Sequence, residues 1–239
     1  MTRAGDLPPL KRVGHKGAHL ISPGNTFGSF QAALEHRVDM IEFDVLRLKD
    51  GRLVLAHDYG DAEKRTPHTL EEGLDHFAED AYADVELDVD LKLPGYEREV
   101  VDGIRERGLT DRVLISSQYI ESIELIGKLE PRIRRGLSVP KVQRDYTRHP
   151  LAPVAYGVIQ VMRRTLPRRA ARLIETGGAE ALMAHQLLVS RRLVEAVRGA
   201  GGQIYVWTVD DAKRIAHFDA LGVDGVITND PRLFDPAPA

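Results

Sequence analysis

Two stretches of the chain alternate apolar and acidic residues with the period of a β-strand: Met40-Ile41-Glu42-Phe43-Asp44-Val45 and Asp84-Val85-Glu86-Leu87-Asp88-Val89-Asp90-Leu91-Lys92. In each, the apolar residues share one face and the carboxylates the other. Elsewhere short apolar runs alternate with segments of helical spacing. The pattern predicts strands at residues 12–15, 39–46, 84–92, 112–116, 133–139, 181–184, 203–208 and 225–228. Helices are expected at 26–37, 69–79, 96–107, 120–129, 154–176, 190–199 and 210–221. Thr69, with Glu72 three residues on, reads as a capping box. Lys49-Asp50-Gly51 is a turn signal that leads into a short extension at 53–57.

Strands that alternate with helices imply a parallel sheet. Eight units in series within 239 residues fit a single-domain α/β chain, residues 1–239, closed as a (β/α)₈ TIM barrel. A doubly wound open sheet is the alternative. In a barrel, functional groups gather at the C-terminal ends of the strands. His15, Asp44, Asp90, Lys92, Trp207 and Thr228 fall at or near such ends, and His57 follows the short extension on the same face.

Composition narrows the chemistry. The net charge of −3 gives no reason to expect nucleic acid, and the absence of cysteine leaves only oxygen and nitrogen ligands for a metal. The first dozen residues lack the apolar core of a signal peptide, and no apolar run approaches the ~18 residues of a membrane span. A cytoplasmic protein is therefore expected.

Converging carboxylates repel unless a cation or a proton intervenes. Glu42 and Asp44 share a strand face, and Asp90 is similarly placed on the next strand. Three such arms suit one hard divalent cation, Mg²⁺ or Ca²⁺. Glu86 and Asp88 lie deeper along the strand and are expected to pair with Lys or Arg inside the barrel. His15 and His57 are the candidates for general acid and base, because imidazole titrates near neutral pH. The other histidines are assigned to packing or surface, His185 at a strand end being the one of most interest. Lys16 and Lys92 flank the acids and are placed to neutralise a phosphate, Lys92 also being within reach of Asp90. Trp207 is expected to wall the pocket.

These residues fall into runs that resemble the glycerophosphodiester phosphodiesterase family. The runs are Val13-Gly14-His15-Lys16-Gly17-Ala18, Pro23-Gly24-Asn25-Thr26, Ile41-Glu42-Phe43-Asp44-Val45, Ala56-His57-Asp58, Asp90-Leu91-Lys92, Trp207-Thr208-Val209-Asp210 and the stretch from Gly222 to Thr228. The resemblance covers nearly the whole chain in order. It implies a barrel that uses one divalent cation to cleave a glycerophosphodiester to sn-glycerol 3-phosphate and an alcohol. By motif, His15 and His57 match the acid/base pair, and Glu42, Asp44 and Asp90 the metal ligands. The mechanism proposed for the family has the glycerol 2-hydroxyl attack phosphorus, with one histidine taking its proton and the other protonating the leaving alcohol. Water then opens the cyclic phosphate.

Four departures stand out. Lys16 replaces the family's arginine and loses its bidentate fork. Gly24 replaces a glutamate, and Asp90 stands where glutamate is commoner. Only residues 58–89 lie between the second His-Asp box and the third ligand, so the lid is expected to be small, as in the distantly related spider-type phospholipase D toxins. A more open pocket admits a lipid-bearing diester such as a lysophospholipid. Between Pro131 and Arg172 eleven basic residues face one acid, Asp145, with an apolar stretch from Val154 to Met162 among them. Such a segment suits peripheral contact with a membrane, whereas its sparse aromatics argue against nucleic acid. Three readings follow: a hydrolase of soluble glycerophosphodiesters, a phospholipase D-like or lysophospholipase D enzyme at a membrane surface, and a catalytically silent lipid-binding barrel.

Overall fold

The computed structural model describes residues 7–141 and 152–235. In chain order the elements are β1 (Lys11–Gly14), α1 (Phe27–Glu35), β2 (Met40–Arg47), β3 (Leu53–Leu55), α2 (Tyr59–Glu63), α3 (Leu70–Phe77), β4 (Glu86–Leu91), α4 (Glu97–Glu106), β5 (Val113–Ser117), α5 (Ile120–Leu129), β6 (Arg134–Val139), α6 (Ala152–Glu175), β7 (Ala181–His185), α7 (Arg191–Gly199), β8 (Gln203–Trp207), α8 (Ala212–Leu221) and β9 (Gly225–Thr228). Eight parallel strands close on themselves, because β1 pairs with both β2 and β9. The fold is a (β/α)₈ barrel, and the open-sheet alternative is excluded by that closing pair.

Several elements differ from the pattern in the sequence, among them the short helix α2, which the spacing does not predict. The extension after Lys49-Asp50-Gly51 is a strand, β3, which folds back antiparallel on β2 outside the barrel. After β9 the chain makes only a 3₁₀ turn, Pro231–Phe234, where Arg12 stacks over the Phe234 ring.

Side-chain parity sorts the core. Val13, Met40, Leu114, Ala181, Met183, Tyr205 and Ile227 form a cluster inside the barrel. Alternate residues of the same strands, among them Ile41, Phe43, Leu87 and Val89, pack outward against the helices. Phe43 meets the rings of Phe30 and Phe77 at centroid distances of 6.0 and 5.0 Å. Such pairs add about 0.5–1.5 kcal/mol each beyond the area they bury. The Thr69–Glu72 capping box is present at α3, and Thr26 with Ser29 forms a second one at α1. Asp211, not Asp210, caps α8, which leaves Asp210 to turn elsewhere.

Parallel pairing fixes the height of each acid. Glu42 is level with Asp88, and Asp44 with Asp90, while Glu86 lies a step below at the level of Met40. A single strand thus carries three carboxylates up the barrel axis.

Candidate active site

An open pocket at the C-terminal ends of the strands is lined by His15, Glu42, His57, Asp88, Asp90, Lys92, Ser116, Gln118, Ser138 and Trp207, with Met183 and Ile227 among its apolar walls. It brings together six of the eight site residues expected from the sequence. Asp44 and Lys16 do not line it. Asp44 is fully buried, and the Lys16 Nζ lies 3.5 Å from its Oδ2.

The acids are held from several sides. Glu42 Oε2 accepts the backbone N–H of Lys16 at 2.8 Å. Asn25 braces Asp44 twice: its Nδ2 donates to Oδ2 at 2.8 Å, and its Oδ1 accepts the Asp44 N–H at 3.0 Å. The Lys92 ammonium lies 2.5 Å from Asp44 Oδ1 and also contacts Asp90 Oδ2. Oxygens of Glu42, Asp44 and Asp90 all lie within 4.8 Å of one another.

Four carboxylates share this space with two ammonium groups, and the protons follow. Burial, reinforced by Asp44, pushes the Glu42 carboxyl well above the usual range. Burial and then Asp90 push Asp88 up to about 8. Burial also opposes ionisation of Asp44, but Lys92 and Lys16 overcome it and hold that carboxyl well below its ordinary value. Lys92 stays charged, because Asp44 and Asp90 outweigh its own burial.

The donor set fits a divalent cation on an independent count. Asp90 Oδ1 and Asp88 Oδ1 are buried and have no hydrogen-bond partner among the described residues. Buried carboxylate oxygens without a donor are costly, and a hard cation satisfies them. The expectation that Asp88 pairs with a basic side chain is not met, since it lines the pocket as a carboxyl with a raised pKa. Glu86 does meet it: Lys11 Nζ lies 2.5 Å from Oε1, and Arg134 binds Oε2.

Each histidine on the pocket is oriented through Nδ1. Asn229 Nδ2 donates to Asp210 Oδ2 at 2.7 Å, which turns Asn229 Oδ1 toward His15 Nδ1 at 2.6 Å. That amide oxygen accepts only, so His15 carries its proton on Nδ1 and leaves Nε2 free. Nε2 lies 3.8 Å from Glu42 Oε2. Burial, with the Lys16 charge second, pushes the His15 imidazole down to about 3. His57 Nδ1 faces the Asp58 carboxylate at 2.9 Å, so its Nε2 is free too. Asp58 is itself anchored, its other oxygen accepting the Asp61 N–H at 2.8 Å to cap α2.

The first loop explains one of the sequence departures, Gly24. Lys16 adopts a left-handed backbone, φ +53°, with Gly17 at φ +83° beside it. A Cβ on Gly24 would lie 2.7 Å from the His19 ring nitrogen and 2.8 Å from the Lys16 Cβ, so this loop has no room for the family's glutamate in its present form. Trp207 donates from Nε1 to the Met183 carbonyl at 2.9 Å, and His185 packs edge-on against its ring. The lid is small, as expected: the five-residue α2 follows His57 directly. Asn25, Asp210 and Asn229 were not singled out by the sequence. Their signal was there in retrospect, since each lies within or next to a motif run that carries a predicted site residue.

A family model described as the glycerophosphoryl diester phosphodiesterase family matches residues 15–69 and 62–233. The chain belongs to this family. Among curated relatives, the glycerophosphodiester phosphodiesterase of Caldanaerobacter subterraneus is 27% identical across 92% of this chain and 93% of its own length. The Arabidopsis thaliana glycerophosphodiester phosphodiesterase GDPD4 is 28% identical across 95% of this chain and 72% of its own. The fold is shared with a solved glycerophosphodiester phosphodiesterase from Parabacteroides distasonis, with a TM-score of 0.72, 18% identity and coverage of 96% and 99% of the two chains. It is shared also with an Oleispira antarctica phosphodiesterase in complex with the product sn-glycerol-3-phosphate, with a TM-score of 0.68, 21% identity and coverage of 96% and 97%.

Proposed function

We propose that this chain hydrolyses glycerophosphodiesters to sn-glycerol 3-phosphate and an alcohol, with His15 and His57 as base and acid and a divalent cation held by Glu42, Asp44 and Asp90. The observation that carries this reading is the pocket itself: two imidazoles with free Nε2 atoms line the same mouth as a cluster of three carboxyl groups whose oxygens lie within 4.8 Å of one another. Family membership and the names of the relatives support the same reaction. When bound, the cation supplies Lewis-acid polarisation of a phosphoryl oxygen.

The partners of the two rings divide the proton work. His15 faces a neutral amide, Asn229, whose hydrogen bond favours an imidazolium less than burial and the Lys16 charge oppose it, so the ring rests neutral. It takes the proton of the glycerol 2-hydroxyl as that oxygen bonds to phosphorus. His57 faces a carboxylate, Asp58, which accepts at Nδ1 and aims Nε2 away from itself. It gives its proton to the alkoxide as the bond from phosphorus to the leaving oxygen breaks. The resulting cyclic phosphate is opened by water with the two roles reversed. Lys92 brings positive charge to the pocket wall beside the phosphate, and Trp207 provides an apolar wall.

The test is glycerophosphocholine turnover, read as glycerol 3-phosphate, with an added divalent cation and with chelator. Activity that survives exhaustive chelation removes the cation from the reading. The p-nitrophenyl ester of glycerol 3-phosphate, followed by p-nitrophenol release, separates the two histidines, because its leaving group needs no proton. His57→Ala is expected to keep most of its activity on that substrate, and His15→Ala to lose it. The opposite pattern reverses the assignment.

A further inference from the structure

α6 is the longest helix among the described residues, with 24 residues or about 36 Å, and its outer face is unlike the others. Leu166, Pro167 and Ala170 face the barrel and are buried. On the opposite face Val158 and Val161 are 53% and 60% exposed, followed at helical spacing by exposed Arg164, Arg168, Arg169 and Arg172. None of these four arginines forms an ion pair among the described residues, and no acid occurs on the helix before Glu175. This is a concentrated positive face on a chain of net charge −3.

Part of the wider basic segment noted in the sequence is tied down. Arg132, Arg134 and Arg135 form pairs with Glu130, Glu86 and Glu180. Arg144 and Arg148 lie outside the described residues. Among the described residues, the arginines of this segment without an ion pair are those of α6.

The position of that face matters. α6 follows β6 and so begins at the pocket end of the barrel, which puts the two valines in its pocket-side half. Four of the five other exposed large apolar side chains follow strands at that end: Leu20 and Ile21 after β1, Tyr59 just after His57, and Ile120 after β5, the fifth being Leu125 within α5. Single exposed apolar residues are ordinary, but several at one end of a barrel suit an interaction surface.

We propose that the outer face of α6, with the exposed apolar side chains at that end, docks this protein on an anionic phospholipid surface. The valines enter the headgroup boundary, and the arginines meet lipid phosphates. The charge is complementary. A nucleic acid is disfavoured, because the described side chains on the outer face of α6 include no aromatic ring for a base to stack on. Docking stands apart from the hydrolase reading; only the further step, that the docked lipid is also substrate, rests on it.

The test is sedimentation of the full chain with vesicles of phosphatidylcholine mixed with phosphatidylglycerol, and with phosphatidylcholine alone. Binding is expected only to the anionic vesicles and is expected to fall as salt rises. R164Q/R168Q should weaken it roughly twenty- to thirtyfold, at about fivefold per guanidinium removed. V158S/V161S should weaken it as well, and circular dichroism melting checks that both variants are folded. Equal binding to both vesicle types, no binding at all, binding indifferent to both variants, or tighter binding of single-stranded RNA at the same salt each overturns the proposal. Glycerophosphocholine turnover, read separately, shows whether the hydrolase reading stands when docking fails.

Discussion

At the base of the barrel Glu86 is gripped by Lys11 and Arg134; two and four residues along the same strand, Asp88 and Asp90 each keep a buried oxygen with no donor among the described residues. The chemistry and parity are the same, yet the outcome is opposite. Burial works against ionisation of Glu86, but its two basic partners hold the carboxyl below its ordinary value. At the mouth, burial and like charge push Glu42 and Asp88 the other way. One end of the barrel is electrostatically complete and serves the fold. The other is left short of positive charge, a condition suited to a cation and a substrate phosphate.

Four perturbations sharpen or break that contrast. The largest effect is expected from His15→Ala on a natural diester, with a loss of about 10²- to 10⁴-fold in kcat and an unchanged melting temperature. A wild-type rate in that variant ends the acid/base assignment. Next, Asp90→Asn is expected to lower affinity for the divalent cation by at least about tenfold in titration calorimetry. It should also abolish the rise in melting temperature that the cation gives the wild type, since a ligand that binds only the folded state stabilises it. Unchanged affinity would show that Asp90 is not a ligand. Third, Asn229→Ala is expected to cost roughly tenfold to a hundredfold in kcat with little change in KM, because His15 loses what fixes its tautomer. A matching drop in melting temperature with no kinetic effect would reduce Asn229 to a structural role.

The smallest effect lies at the base. Glu86→Gln is expected to cost about 1–2 kcal/mol of stability and to leave kcat unchanged. The sign with pH follows from the depressed carboxyl. Its contribution is present above the unfolded-state carboxylate pKa and is lost as pH falls through the lower folded-state value. Denaturant midpoints of wild type and Glu86→Gln should therefore converge in acid. A kinetic defect in this variant would break the separation between the two ends.

Much of this contrast was legible in the chain before folding. Period-two alternation placed Glu42, Asp44, Asp88 and Asp90 on one face of neighbouring strands, and strand-end position singled out His15, His57 and Lys92. What alternation cannot carry is height. Glu86, Asp88 and Asp90 are equivalent by parity, and only the register against β2 and β5 decides which of them meets Arg134 and which faces the pocket. The same limit hid the bracing amides. Asn25 reaches Asp44 across 19 residues and Asn229 reaches His15 across 214. Local spacing contains no trace of such pairs. The turn at Lys49-Asp50-Gly51 was visible, but the antiparallel return of β3 outside the barrel depends on the length of β2 beyond the parallel ladder.

Asp58 spends one oxygen on starting α2 and the other on aiming His57. A proton-carrying ring and the first turn of a surface helix thus hang from a single side chain. Substitutions in residues 59–63, none of which is buried, should therefore register as lost turnover long before any change appears in the melting curve of the barrel. Under the role proposed for His57, variation in this surface turn is expected to tune rate without touching the packed interior.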